Sequence, residues 1–171
     1  MQEYLITTSE VSILSRTMSI HIDDEKIETY LRESESIDIK SALGDALYLD
    51  VKENPEKYEV LLDGGVYETE SGDKKLLTGL KTALAYYTYA RIVKNGDSNI
   101  TRHGFMQPEN EYGSRPDFKE KVMVYDDAFA IADRYLKECV LFLNENNDEY
   151  PLYKGEGKIK ANRTVYRVIG D

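Results

Sequence analysis

The segment LTGLKTALAYYTYARIVKNG, Leu77 to Gly96, limits the fold more than any other stretch of the chain. At about 100° per residue, Tyr86, Tyr87 and Tyr89 spread over roughly 160° of a helix circumference, so they cannot form one stripe. Leu77, Leu80, Ala83, Leu84, Ala85, Ala90, Ile92 and Val93 fill most of the remaining surface. Only a narrow polar sector is left, around Lys81 and Thr88, with Arg91 and Lys94 as long stems that can snorkel. A helix apolar nearly all round must be covered on nearly all sides, by its own chain or by a neighbour. One side, around Leu80, Leu84 and Tyr87, is assigned to a bundle core. The other, around Tyr86, Tyr89 and Val93, is assigned to a subunit boundary.

A chain of 171 residues can bury one real core and is marginal for two. The net charge of -10 favours solubility and opposes simple adhesion to nucleic acid or anionic membrane. That charge is uneven. Asp23 to Asp73 carries 16 acids and 5 bases, whereas Lys154 to Asp171 carries 5 bases and 2 acids, giving an acidic body and a basic tail. No stretch reaches the roughly 18 apolar residues of a membrane span, and MQEYLITTSEVS lacks the blocks of a signal peptide, so an intracellular product is expected. The two glycosylation-like triplets, at Asn99 and Asn162, are then accidental.

The opening EYLITTSEVSILSRTMSI is rich in Ile, Val, Thr and Ser without a helical period and reads as an extended arm or short strands. A helix begins near Asp24, with Asp23 or Asp24 as its cap. Its face runs through Ile27, Tyr30, Leu31, Ser34 and Ile37, then continues after a phase shift through Ile39, Ala42, Leu43, Ala46 and Leu47. This is one bent helix or two consecutive ones, ending by Asp50. Pro55 and Gly64 bracket a short helix, and VYETESGDKKLL reads as a hairpin around Ser71-Gly72-Asp73. The tyrosine helix follows, from Thr78 to Lys94. Asn95 to Pro116 is a long irregular connection or short ribbon, of a length that is usually functional. Phe118, Val122, Tyr125, Phe129, Ala132, Leu136, Cys139 and Leu143 recur at spacings alternating between 4 and 3, marking a helix over Asp117 to Asn144. The tail after Pro151 is glycine-flanked, basic and partly alternating, an arm suited to pairing outside its own bundle.

The fold class expected is therefore mainly α: a helical bundle of about four helices with a small β hairpin or ribbon and extended N- and C-terminal arms. The organisation is an extended arm over 1–22, a bundle domain over 23–151 containing the 95–116 loop, and a basic arm over 152–171.

Chemistry is sparse. His21 with Asp23, Asp24 and Glu25 could be a metal cluster, but adjacent acids at a helix start are ordinary capping chemistry. His103 has no identifiable nucleophile and orienting acid, and Cys139 lies on an apolar seam where a thiol acts as a small hydrophobe. Asp63-Gly64-Gly65 and Glu70-Ser71-Gly72-Asp73 lack a phosphate-binding pattern. No catalytic residue, cofactor site or metal site is assigned, and the chain is not expected to be an enzyme.

Five elements in order carry a resemblance: DDEKIETYLRESESIDIKSALGDALY, YEVLLDGGVYE, GLKTALAYYTYARIV, NITRHGFMQPENEYG, and the long helix closing in YLKECVLFLNENNDEYP. Together, with their Leu-Leu-x-Gly-Gly, Gly-Leu-x-x-Ala-Leu-Ala-Tyr and Thr-Arg-x-Gly groups, they resemble small head-to-tail connector proteins of tailed phages. The likeness is in particular to the versions found in phages and prophages of Bacteroides and in the crAss-like group, and it covers Asp23 to Pro151. The resemblance implies a structural virion protein forming a homo-oligomeric, usually dodecameric ring below the portal. Such a ring prolongs the DNA channel, lets DNA pass without specific binding, and offers a platform to further neck or tail ring proteins. It implies location in the virion neck, with host cytoplasm during assembly, and no membrane partner. Carried onto this chain, the Asn95–Pro116 loop contacts neighbours or lines the channel, and Arg102, His103 and Phe105 join Tyr86, Tyr89 and Val93 as subunit-interface candidates. The arms that could grip the portal are Lys154 to Asp171 and Met1 to Ile20, and in the former Lys158, Lys160, Arg163, Val165, Tyr166, Arg167, Val168 and Ile169 are candidates for the portal or next ring. An acidic body suits a conduit that must let phosphates slide. Two other readings stand beside this one: a cytosolic helical protein-binding module, antitoxin- or inhibitor-like, and a small hydrolase around His103.

Overall fold

The computed structural model describes residues 4–19, 22–69, 71–95 and 118–155, and the backbone of 99–101 and 104–106. It is mainly helical, a bundle with a small antiparallel hairpin.

The chain enters through α1, Thr8–Leu14, where an extended arm was expected. Two forces overturn that expectation. Thr7 and Glu10 form a capping box: the Glu10 N–H donates to Thr7 Oγ1, and the Thr7 N–H donates to Glu10 Oε2 at 2.7 Å. These reciprocal bonds satisfy orphan donors and outweigh the strand preference of Val, Ile and Thr. In addition, Leu5, Ile6 and Val11 are buried in the common core.

Next, α2 (Asp24–Ser34), a π-helical turn (Glu35–Ile39) and α3 (Lys40–Leu43) run on without a break. The π turn is the physical form of the phase shift read in the sequence, because a wider turn rotates everything after it. The shift falls earlier than the pattern suggested: Ile37 is 58% exposed, while Ile39 is fully buried. Gly44, with φ of 78°, separates α3 from α4, Asp45–Glu53. The expected four helices are thus more numerous and shorter before the hairpin. A 3₁₀ turn at Pro55–Tyr58 leads into α5, Glu59–Asp63.

Strands β1 (Gly65–Glu68) and β2 (Lys74–Leu77) pair antiparallel, Val66 opposite Leu76. Gly64 and Gly79 lie against each other at the hairpin's base. A Cβ on Gly79 (φ 98°) would sit 2.6 Å from Gly64 N and 2.7 Å from Leu62 O. That contact fixes how α5, the hairpin and the next helix meet.

The tyrosine helix is α6, Leu80–Asn95, with Leu80, Ala83, Leu84, Ala85, Tyr87, Thr88, Ala90 and Ile92 all buried. It packs against α1, α2, the π turn, α5 and the last helix, α7, Phe118–Glu145. Thr88, expected in a polar sector, is covered as well, and its hydroxyl donates to Leu84 O at 2.9 Å. Between α6 and α7 the backbone forms a second ribbon, β3 (Asn99–Thr101) with β4 (Gly104–Met106). The C-terminal arm beyond Gly155 lies outside the described residues.

Gly79→Ala is expected to cost about 4 kcal/mol or more in urea unfolding, because both the positive φ and the backbone clash oppose a side chain. Gly44→Ala, also at positive φ but with nothing within 4 Å of its Cβ, should cost only about 1 to 2 kcal/mol. Equal costs would contradict the close approach.

Candidate interaction surface

The buried polar groups are each explained by the fold. Glu35, 2% exposed at the start of the π turn, accepts from Leu5 N–H at 2.9 Å, Tyr48 hydroxyl at 2.6 Å and Lys52 Nζ at 3.1 Å. A carboxylate buried this deeply is tolerable because it is paired and bonded at both oxygens. It ties the N-terminal segment to α4 across the π turn. Burial, then the bond to Glu35, pushes the Tyr48 phenol well above its usual range.

A second group joins α6 to α2, the π turn and α7. Arg91 Nη1 lies 2.7 Å from Asp38 Oδ2 and donates to Ser34 Oγ at 3.1 Å, with its guanidinium carbon 5.9 Å from the centre of the Phe129 ring. Burial raises the Asp38 carboxyl, and Arg91 holds it back part of the way. Tyr87 donates to Asp133 Oδ1 at 2.5 Å. These groups hold helices together; no nucleophile with a base beside it is among them. Among the described residues no three His, Cys, Asp or Glu side chains gather to hold a metal ion, and no helix is long and apolar enough to cross a membrane.

Helix α7 runs antiparallel to α6: Thr78 meets Glu138, Tyr87 meets Asp133, and Lys94 Nζ sits 4.4 Å from the centre of the Tyr125 ring. Since α6 ends at Asn95, the first two turns of α7 run on for about 10 Å beyond it. The seam read in the sequence holds from Phe129 onward, with Ala132, Cys139 and Leu143 fully buried. It fails at the start. Phe118 is 77% exposed because α6 is too short to face it, Val122 and Tyr125 are half-buried, and Met123 and Val124, 70% and 37% exposed, lie off the seam.

Further along, α3 and α7 enclose an open groove of about 440 Å³, lined by Ala42, Tyr87, Leu136, Val140 and Leu141 with Asp133 and Lys137. Leu141 is 59% exposed. At the other end of α7, Tyr67 and Lys75 of the hairpin both bind Glu145, while the outer pair Val66 and Leu76 is 67% and 74% exposed. Asp23, which caps α2, and Asp24, Glu25, Glu28 and Glu33 within it are all exposed.

Of the sequence-assigned site residues, Tyr86, Tyr89 and Val93 are half-buried. Tyr86 meets Tyr135 edge to face at 5.7 Å, and Arg16, paired with Asp127, lies beside both Tyr86 and Tyr89. Part of the cover of Tyr86 and Tyr89 therefore comes from α7 and from the segment just after α1 of the same chain. Leu80, Leu84 and Tyr87 are in the core, as assigned. Arg102, His103, the Phe105 side chain, and Lys158, Lys160, Arg163, Val165, Tyr166, Arg167, Val168 and Ile169 lie outside the described residues, as does His21. Sequence reasoning missed the groove, which exists only because the π turn brings α3 against α7; no signal in a single sequence marks it. The exposure of Phe118 at the start of α7 had a signal, since α7 is 28 residues long and α6 only 16.

A family model covers Ile39 to Arg163: a family of unknown function, DUF6712. The chain belongs to that family. The DUF6712 match takes in α3 to α7, both strand pairs and the first part of the basic tail. No curated protein and no solved structure matches the chain.

Cys139 is fully buried, and burial pushes its thiol up to about 12. At pH 8 the native DUF6712 chain should therefore react with a thiol reagent at least about a hundredfold more slowly than the chain in denaturant. Similar rates would mean that the α6–α7 seam opens readily.

Proposed function

We propose that this DUF6712 chain is a structural subunit of a tailed-phage neck. Copies form a ring that joins the portal to the tail and prolongs the DNA channel. The observation that carries the reading is the placement of uncovered apolar side chains at unlike sites on one subunit. Met123 and Val124 stand near one end of α7, and Val66 and Leu76 stand on the hairpin at the other, about 33 Å apart along the helix. Unlike surfaces at opposite ends suit heterologous, head-to-tail contacts, which close into rings when the rotation per subunit allows it. The resemblance of the ordered motifs to phage connectors adds the portal as partner. The exposed acids of α2 add a surface that repels DNA phosphates instead of holding them.

In this reading the bundle is the ring wall, and the basic arm with Lys158, Lys160, Arg163 and Arg167 reaches the portal or the next ring. Tyr86, Tyr89 and Val93, with Arg102, His103 and Phe105, lie toward the neighbouring subunit. The protein acts in the virion neck and passes through the host cytoplasm during assembly.

The test is to mix the chain with its cognate portal ring and measure mass by light scattering, with electron microscopy of the product. One copy added per portal subunit, seen as an extra ring on the channel axis, is the expected result. A portal of unchanged mass and outline would overturn the proposal.

A further inference from the structure

Strand β1 has a free edge. Among the described residues the β1–β2 hairpin meets no third strand. Its ladder can be phased from the turn: Thr69 N–H donates to Asp73 O at 2.9 Å, and bonded pairs alternate along an antiparallel ladder. Tyr67 therefore bonds Lys75, while Val66 and Glu68 turn their N–H and C=O groups away from β2. Such an edge is a template for an added strand. On the other strand Lys74 and Lys75 repel a basic segment, whereas β1 carries Glu68 two residues from the exposed Val66.

The chain holds a matching segment in its basic tail. Tyr166-Arg167-Val168-Ile169 combines strand-favouring residues with a base. Set antiparallel with Arg167 opposite Glu68, it places Ile169 against Val66, Val168 against Tyr67 and Tyr166 against Thr69. All four are favourable cross-strand pairs. The outer face then carries an apolar row, Leu76, Val66 and Ile169, beside a charged row, Lys74, Glu68 and Arg167. Lys74 Nζ already lies 3.6 Å from Glu68 Oε1, but the two side chains are 72% and 66% exposed, so the carboxylate can take a second cation on Oε2. A slip of one residue would set Tyr166 or Val168 against that carboxylate instead.

The tail also starts in the right place. Tyr150 packs on Phe142 at 5.3 Å, and Phe142 on Tyr67 of β1 at 4.7 Å, so the chain reaches Gly155 from the aromatic cluster that backs β1. Twelve residues lead from Gly155 to Arg167, a reach of up to about 40 Å. A flexible tether of that length gives an effective concentration on the order of millimolar. We infer that residues 166–169 add to the outer edge of β1 of their own chain as a third strand. Arg167 belongs to the arm assigned above to the portal or the next ring, so the hairpin competes with that partner for the segment. This consequence rests on the ring reading; the strand pairing does not.

The experiment uses the isolated full chain. Amide exchange followed by NMR should find the Val66 and Glu68 amides at least about tenfold slower than in Arg167→Pro, which removes a bonding N–H from the added strand. Val66→Cys with Ile169→Cys, directly opposite in the new pair, should form a disulfide within one chain on mild oxidation. Val66→Cys with Val168→Cys, whose side chains leave on opposite faces, should do so at least about tenfold more slowly. The native Cys139 is fully buried and does not compete.

Equal exchange in the unaltered chain and Arg167→Pro would overturn the inference. So would equal rates for the two cysteine pairs, the behaviour of an unpaired tail, and so would disulfides formed only between chains. None of these measurements involves the portal, so their failure leaves the ring proposal standing. A paired tail on a chain that adds no ring to the portal would keep the inference and sink that proposal.

Discussion

Everything in this fold follows from covering α6. Its apolar side chains point in nearly every direction, so a single partner helix cannot satisfy it. The chain supplies α7 along one side, α2 and the π turn along another, and α1 and α5 over what remains. Even Thr88 is enclosed and returns its hydroxyl to its own helix. The aromatic side chains that made the segment unusual are divided among these partners. Tyr87 packs edge to face on Phe129 at 5.0 Å, and Tyr86 on Tyr135. Because the covering elements come from both ends of the chain, the core is a long-range construction, and losing any one cover exposes α6.

The buried charges are consistent with that plan. Glu35 sits where the first long helix widens, and its three donors come from the N-terminal segment and α4. Arg91 leaves α6 at the level of the same π turn and reaches Asp38. Removing one partner from such a group would leave a buried charge uncompensated, the costly case for an ion pair. The π turn, often a mark of a functional site, here acts as a joint: it turns α3 toward α7 and thereby creates the groove. Fold and groove are linked through that one widened turn.

How much could be read from the sequence depended on whether the signal was local. The seam Phe129, Ala132, Leu136, Cys139 and Leu143 has strong helical period, and the Ser-Gly-Asp turn between strand-like runs marks a hairpin; both were legible. Helix α1 was not, because Val11 and Ile13 carry strand preference and the run is too short to show a period. The Thr7-x-x-Glu10 capping box was the signal available. Ile37 and Ile39 looked like one stripe interrupted, and only the π turn sends the first to solvent and the second to the core. Phe118 read as core because periodicity says which face a residue shares and not whether a partner is long enough to cover it. The groove depends on α3 meeting α7, a tertiary fact with no local trace.

The account holds that one chain closes the core around the buried side chains of α6 by itself, so that assembly uses only half-buried and exposed side chains and leaves that core closed. Native-state hydrogen exchange on the isolated, unassembled chain tests this most directly. The amides of Leu84 to Ile92 should exchange only through global unfolding, with the same free energy that denaturant melting gives. Exchange in that segment at markedly lower cost, becoming slow only after assembly, would show that neighbours complete the core and would contradict the account.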